Sequence, residues 1–405
     1  MTETRVGPGA RSRLGTVDGD LRVEHDARIE ADGKVVVTGA ARFDGSAEVT
    51  GPFDCRSLEV DDGTLEVRGD LTVRENVRGR DGAIEVTGAL TAGRVDVDRG
   101  VRVTGPATAE EFEVGGILEG GSTLSSPKVS VGGKFRLAGK LTGRSVEAGG
   151  AVQLADVAIE TLEVGGAVRV GGGEITRSVN VGGKFSADGA LTFGDLDVGG
   201  VAQLRGPATG RRIEVGGIFS ADHDLTFESL DIGGLGTIQG SATGDRVEVG
   251  GKIDVRGSLT LRGKLEVGGA ISVGEVLTGE RLSVGGSLSA RRAVFTGEAE
   301  IGGAVTTREG LKADRLRVGK RSRASGPLVG TQVEIDAKAR VEDVFGGRVE
   351  IGKKAEVRRV VARDVVLDDD CDVGEVVYSG ELRLGRDVRC RRPPQKVDTL
   401  PPAPL

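Results

Sequence analysis

The amino-acid sequence predicts an all-β fold, a single parallel β-helix (solenoid) of about twenty triangular coils with three short strands each. Three observations predict it. A Val-Gly-Gly triplet returns about every 17 residues, apolar residues between triplets alternate with a period of two, and glycine and proline punctuate that alternation at fixed phases.

The beat falls at Val114, Val131, Val164, Val181, Val198, Val215, Ile232, Val249, Val267, Val284 and Ile301. Weaker marks extend it to Phe43, Val60, Val97, Ala148, Val318, Ile335, Ile351, Leu367 and Leu384, and only the interval from Val60 to Val97 is irregular. With the valine as position 1, the repeat from Val181 places apolar residues at positions 5 and 7 (Phe185, Ala187), 11 and 13 (Leu191, Phe193), then 16 and the next 1 (Leu196, Val198). Alternation over such short windows fits strands, since a helix face needs spacings of three and four. A longer echo pairs "FSAD" at 185–188 and 219–222, which implies a duplicated two-coil unit. Large and small side chains then alternate at position 5 through Phe185, Ala202, Phe219 and Gly236.

The corners follow from the punctuation. Gly-Gly at positions 2 and 3 suits a corner with positive φ. A second corner at positions 9 and 10 is repeatedly Gly-Pro (Gly51-Pro52, Gly105-Pro106, Gly206-Pro207, Gly326-Pro327), and because proline has no N–H it is expected not to be hydrogen-bonded to its neighbour. The implied organisation is a flexible amino-terminal tail over 1–20 and a rod over 21–392, less regular over 21–96 and regular over 97–392. A Pro-rich tail, 393–405, completes it.

Composition agrees. Aromatic residues are 3% of the chain and glycines number 69, so the interior is narrow and aliphatic. Single coils are not autonomous. Six inward side chains stabilise by about 1.5–3 kcal/mol each, whereas ordering seventeen residues costs about 1–2 kcal/mol apiece.

Little in the sequence points to chemistry. Cys55, Cys371 and Cys390 are far apart and lack metal-ligand spacing, as expected of incidental thiols in a reducing compartment. "MTETRVGPGARSRLG" has no apolar signal-peptide core, so a cytoplasmic location is expected. The net charge is −7 with both signs interspersed, which offers no footprint for nucleic acid. Position 17 is acidic in most coils, including Glu113, Glu147, Glu163, Asp197, Asp231 and Glu300, with basic residues at position 15 offsetting the repulsion. A solvated face accounts for this column better than a cation site. His25 and His223 are the only histidines, and His223 stands at a corner. The run Asp368-Asp369-Asp370 with Asp372 is read as a charged corner in preference to a hard-cation site. No Gly-Lys pair is followed by Ser or Thr, so no phosphate loop is present. No catalytic, cofactor-binding or metal-binding residue is assigned, and no cofactor is expected.

The repeat style resembles the bactofilin family, polymer-forming cytoskeletal proteins of prokaryotes, through "VGGKF" at 181–185, "VEVGG" at 247–251, "RLSVGGSLSA" at 281–290 and "LRVGK" at 316–320. The resemblance covers roughly residues 40–390, far more coils than a typical member has. It implies a right-handed β-helix that joins end to end into filaments without nucleotide, often near a membrane, and scaffolds client proteins. The expected partner is another copy of the chain, with membrane contact only indirect. Uncapped terminal coils expose unpaired edges, which makes Leu384, Val388, Arg389 and Arg391 candidate polymerisation residues. Arg383, Arg386, Arg389, Arg391 and Arg392 at one end would complement Asp18, Asp20, Glu24, Asp26, Glu30 and Asp32 at the other in a head-to-tail joint.

Two other functions are weighed against this one. Carbohydrate-active β-helix enzymes commonly use aromatic grips and long loops, whereas here loops are short and aromatics scarce. Left-handed acyltransferases use hexapeptide coils of eighteen and a catalytic histidine, and a coil of seventeen with two histidines argues against them. The other alternative is a monomeric or exported rod displaying a protein-binding surface; an exported rod would be expected to show an export signal.

Overall fold

The computed structural model describes residues 2–405, in which every regular element is a β-strand. The strands pair in parallel from coil to coil, about 23 turns in all at ~17-residue spacing, and form a β-solenoid. Contacts divide the chain into two units, Met1–Gly206 and Pro207–Leu405.

In the first unit three ladders run from coil to coil. The coil containing Lys184–Ala187 and Leu191–Val198 shows how sequence makes them. Lys184–Ala187 pairs with Ala167–Val170 before it and Val201–Leu204 after it, building the first ladder. Leu191–Val198 supplies the second and third ladders as one strand, bent where Gly194 and Asp195 both face outward. Two successive outward residues break the alternation and turn the chain, and the first of them is Gly194, where a methyl would run into the Arg177 carbonyl oxygen of the coil before. Phe185, Ala187, Leu191, Phe193, Leu196 and Val198 are all buried, as the spacing predicts.

The size alternation is also present. Phe185 pairs with Ala202 in the first unit and Phe219 with Gly236 in the second. A methyl added at Gly236 would lie 2.7 Å from Ile232 Cδ1, and one at Gly244 would lie 2.2 Å from Phe227 Cε2. Inward glycines thus make room for bulky neighbours in a core with no spare width.

Four expectations are corrected. The Gly-Gly corners do not use positive φ; among glycines it occurs only at Gly9, Gly19, Gly33, Gly45, Gly51, Gly173, Gly310 and Gly326. The second glycine is required by close approach instead: a Cβ at Gly269, Gly286 or Gly303 would sit 1.9 Å from the carbonyl oxygen of the glycine one coil earlier. The corners themselves are hydrogen-bonded, with Gly285 N–H donating to Val267 O at 2.8 Å and Ser287 N–H to Gly269 O at 2.9 Å, ordinary lengths for such bonds.

The Gly-Pro corners are bonded to their neighbours as well, through the proline carbonyl. Pro52 O accepts from Val35 N–H at 2.9 Å and Pro327 O from Leu311 N–H at 2.8 Å. Proline withholds only a donor. The irregular interval is filled by Gly79, which pairs with Val60 on one side and Val97 on the other; a methyl there would lie 2.9 Å from Val97 Cγ1.

Finally, the segment 1–20 is not a tail. Glu3–Val6 pairs with Asp20–Glu24 and Arg11–Val17 with Ala27–Val37, forming a first coil whose Val6 and Val17 are buried. Its corner is Gly7-Pro8-Gly9, with Gly9 at φ 64°, in place of the Gly-Gly pair.

In the second unit the late coils exchange Gly-Gly for a corner that places Arg321, Lys338, Lys354, Asp370 and Asp387 in the left-handed region, at φ 56° to 63°. Charged residues stand outside there, and outward ion pairs link coil to coil, as in Arg340–Glu356 (3.2 Å) and Arg359–Glu375 (3.2 Å). Each exposed pair of this kind contributes about 0–1 kcal/mol, so burial and the ladders carry the fold.

The two glycines of one corner differ in what they tolerate. Gly286→Ala is expected to destabilise the chain by about 1–3 kcal/mol through overpacking. Gly285→Ala, whose added methyl meets its nearest atom at 3.6 Å, is expected to change stability by less than about 0.5 kcal/mol. Denaturant midpoints of the two variants check this.

Candidate functional site

The last coil decides what the carboxyl end of the second unit can do. Leu382–Leu384 pairs with Val365–Leu367, Arg389–Cys390 with Asp372 and Val373, and Gln395–Lys396 with Val377 and Tyr378. No further coil covers it. Leu384 continues the column of Leu367, yet it is 53% exposed where Leu367 is 1% exposed. Leu382, Val388 and Cys390 are half-buried, while Cys371 and Val373 in the preceding coil are fully buried. Leu384 and Val388 therefore belong to an open row of core-facing side chains.

Arg389 and Arg391 are placed differently. Both point outward from the first ladder. Arg391 Nε lies 3.4 Å from Asp372, and Arg389 has no ion pair among the described residues. Arg383, Arg386 and Arg392 are engaged with Glu381 (3.0 Å), Asp369 (3.8 Å) and Glu375 (3.3 Å) within the unit. At the opposite terminus, Asp20 accepts the Ala40 N–H at 2.8 Å, and Glu30 lies 3.6 Å from Arg13. Much of the charge expected to face a partner is thus already paired internally.

The sequence reasoning missed a lateral feature beside this end. Val329, Phe345, Val361 and Val377 occupy the outward position 12 of the second ladder, which is threonine in earlier coils such as Thr226, Thr243 and Thr260. They are buried because the tail folds back over them, packing Val397, Leu400 and Leu405 against the stripe. Val397 N–H donates to Tyr378 O at 2.9 Å, Lys396 Nζ lies 6.0 Å from the Tyr378 ring centre, and Leu405 reaches Gly310. The tail therefore runs as a strap along the side of the coils and leaves the terminal face bare. Beneath it lies a cavity of about 630 Å³ bordered by Val294, Ala313, Phe345, Leu400, Pro401 and Ala403. The signal was present in the adjacent apolar pairs "LV" 328–329, "VF" 344–345, "VV" 360–361 and "VV" 376–377, which break the alternation.

The remaining candidates occupy structural positions. Asp369 accepts the Arg386 N–H at 2.8 Å and lies 3.3 Å from Lys353, which together hold its carboxyl below the usual range, while Asp370 forms the corner at φ 63°. His25 and His223 are exposed at corners, His25 beside Asp26 at 3.2 Å. Glu113 of the acidic column pairs with Arg94 at 2.5 Å. Among the described residues no cluster of His, Cys, Asp or Glu is arranged to hold a metal, and no helix is long and apolar enough to cross a membrane. No family model, no curated protein and no solved structure matches the chain.

Burial pushes the Cys55 thiol up to about 12, with Asp54 adding to the effect, and raises Cys371 as well. At neutral pH both are therefore expected to resist alkylation until the chain unfolds. Burial and Asp372 raise the Cys390 thiol as well, but its partial exposure is expected to let it react slowly in the native state; peptide mapping after iodoacetamide labelling checks this. Leu400→Asp together with Leu405→Asp should release the strap, seen as increased binding of a hydrophobic dye with the strand circular dichroism spectrum retained.

Proposed function

We propose that this chain is a non-catalytic structural protein of the bactofilin type that self-associates through its terminal coils, without nucleotide, into a scaffold for client proteins. The observation that carries this is the bare carboxyl-terminal coil. Leu382, Leu384, Val388 and Cys390 are core residues in register and chemistry, yet no coil covers them. An exposed aliphatic row above unpaired parallel strands is a template for another coil. Pro401, Pro402 and Pro404 sit in the strap, away from that face, while Pro393 and Pro394 occupy the corner between the Arg389–Cys390 and Gln395–Lys396 strands of the last coil and leave the row of Leu382, Leu384 and Val388 uncovered.

A cytoplasmic position, close to a membrane through bound clients, fits such a scaffold. The lateral cavity beneath the strap favours a second function, a monomeric rod that displays a protein-binding face. The two differ in assembly state.

Sedimentation velocity and negative-stain microscopy of the purified chain distinguish them. End-to-end assemblies that grow with concentration without added nucleotide are expected, and Leu384→Lys combined with Val388→Lys is expected to reduce them to single particles. Single particles at every concentration and salt would overturn assembly in favour of display.

A further inference from the structure

The first unit carries a basic trough on the outer face of its first ladder. Outward residues of consecutive coils there run Lys134 and Arg136, Ala151 and Gln153, Ala167 and Arg169, Lys184 and Ser186, then Val201 and Gln203. Small side chains at Ala151 and Ala167 leave a hollow between the lysines, and a cavity of about 290 Å³ results, bordered by Lys134, Gln153, Arg169, Lys184, Ser186 and Arg205. In a chain of net charge −7 this concentration of cations stands apart.

Two features make it more than a charged surface. Arg169 and Arg205 share one carboxylate, Asp188, at 2.6 and 2.8 Å, which holds that acid below the usual range and fixes both guanidinium groups in place. The side chains of Lys134 and Lys184 have no ion pair or hydrogen bond among the described residues, so the cavity keeps a positive excess. Beneath them Ser186 is only 5% exposed, and its Oγ has no hydrogen-bond partner. A buried hydroxyl left unpaired costs about 1–3 kcal/mol. The site therefore offers an unused donor under fixed guanidinium groups and two mobile ammonium groups.

We infer that this trough binds a small ligand carrying two or more phosphoryl groups. Its excess charge suits a polyanion, and guanidinium and hydroxyl donors suit tetrahedral oxyanions. Lys134 and Lys184 stand three coil steps apart, about 14 Å at the strand spacing, and their flexible stems close on the ligand from both ends. No aromatic ring borders the cavity to stack a base, so the phosphoryl portion supplies the recognition. The buried position of Ser186 favours a compact ligand over a flat polyanionic surface.

Isothermal titration of the full chain with inorganic pyrophosphate, with inorganic phosphate in parallel, tests this. Saturable binding of pyrophosphate is expected, tighter than that of phosphate. It should weaken about tenfold or more in Lys134→Gln/Lys184→Gln, the scale of a lost hydrogen bond to a charged group, with the circular dichroism spectrum unchanged. Ser186→Ala is expected to weaken binding severalfold while leaving the melting temperature of the unliganded chain equal or higher, a combination that a merely structural serine would not give. Absence of saturable binding overturns the assignment, as does equal affinity in the wild type and both variants. Binding to phosphatidylglycerol vesicles that Ser186→Ala leaves intact, with no pyrophosphate binding, would overturn it in favour of a membrane surface.

Discussion

Coil-to-coil separation in a parallel ladder, about 4.8 Å, is the constraint from which the rest of the structure follows. At that spacing the corner after each third strand brings one backbone directly onto the next, and Gly269, Gly286 and Gly303 have no room for even a methyl group. The same spacing stacks like positions upon like positions. Inward residues must then fit their neighbours above and below, which is why Gly236 adjoins Ile253 and Gly244 adjoins Phe227. Outward residues, stacked in the same way, resolve into inter-coil pairs such as Arg102–Glu119 at 3.0 Å.

This accounts for what was legible in the sequence. Alternation in "FSADGALTF" reports directly which side chains are inside, and Phe185, Ala187, Leu191 and Phe193 are buried where the period of two places them, with Ser186 the outward position that is buried as well. Gly-Gly marked the corner correctly, although its cause is steric contact between coils and not backbone handedness; a sequence pattern reports that glycine is needed without saying which property of glycine is used. Gly79 was invisible as a beat because it stands where valine is usual and relies on Val97 to fill its space. The first coil was missed because its corner is Gly-Pro-Gly.

The functional features divide along the same line. Leu384 and Val388 follow from the repeat, since the last coil of any solenoid has a core face without a cover. The strap does not follow from it. Its recognition depends on seeing that Val329, Phe345, Val361 and Val377 depart from the outward polarity of their column, and that Val397, Leu400 and Leu405 supply the missing partners over a long separation in sequence. Local periodicity carries no information about such a return. The basic trough is likewise dispersed, with Lys134 and Arg205 brought onto one face only by the stacking of intervening coils.

The strap also changes how one end of the molecule holds together. Elsewhere a coil is tied only to its immediate neighbours, so loss of order can begin at a tip and travel inward one turn at a time. A segment anchored from Tyr378 back to Gly310 crosses four such boundaries. Fraying of the final turn therefore cannot proceed independently of the turns beneath it, and those late coils gain the cooperativity of a small globular domain, which the repetitive architecture alone does not provide.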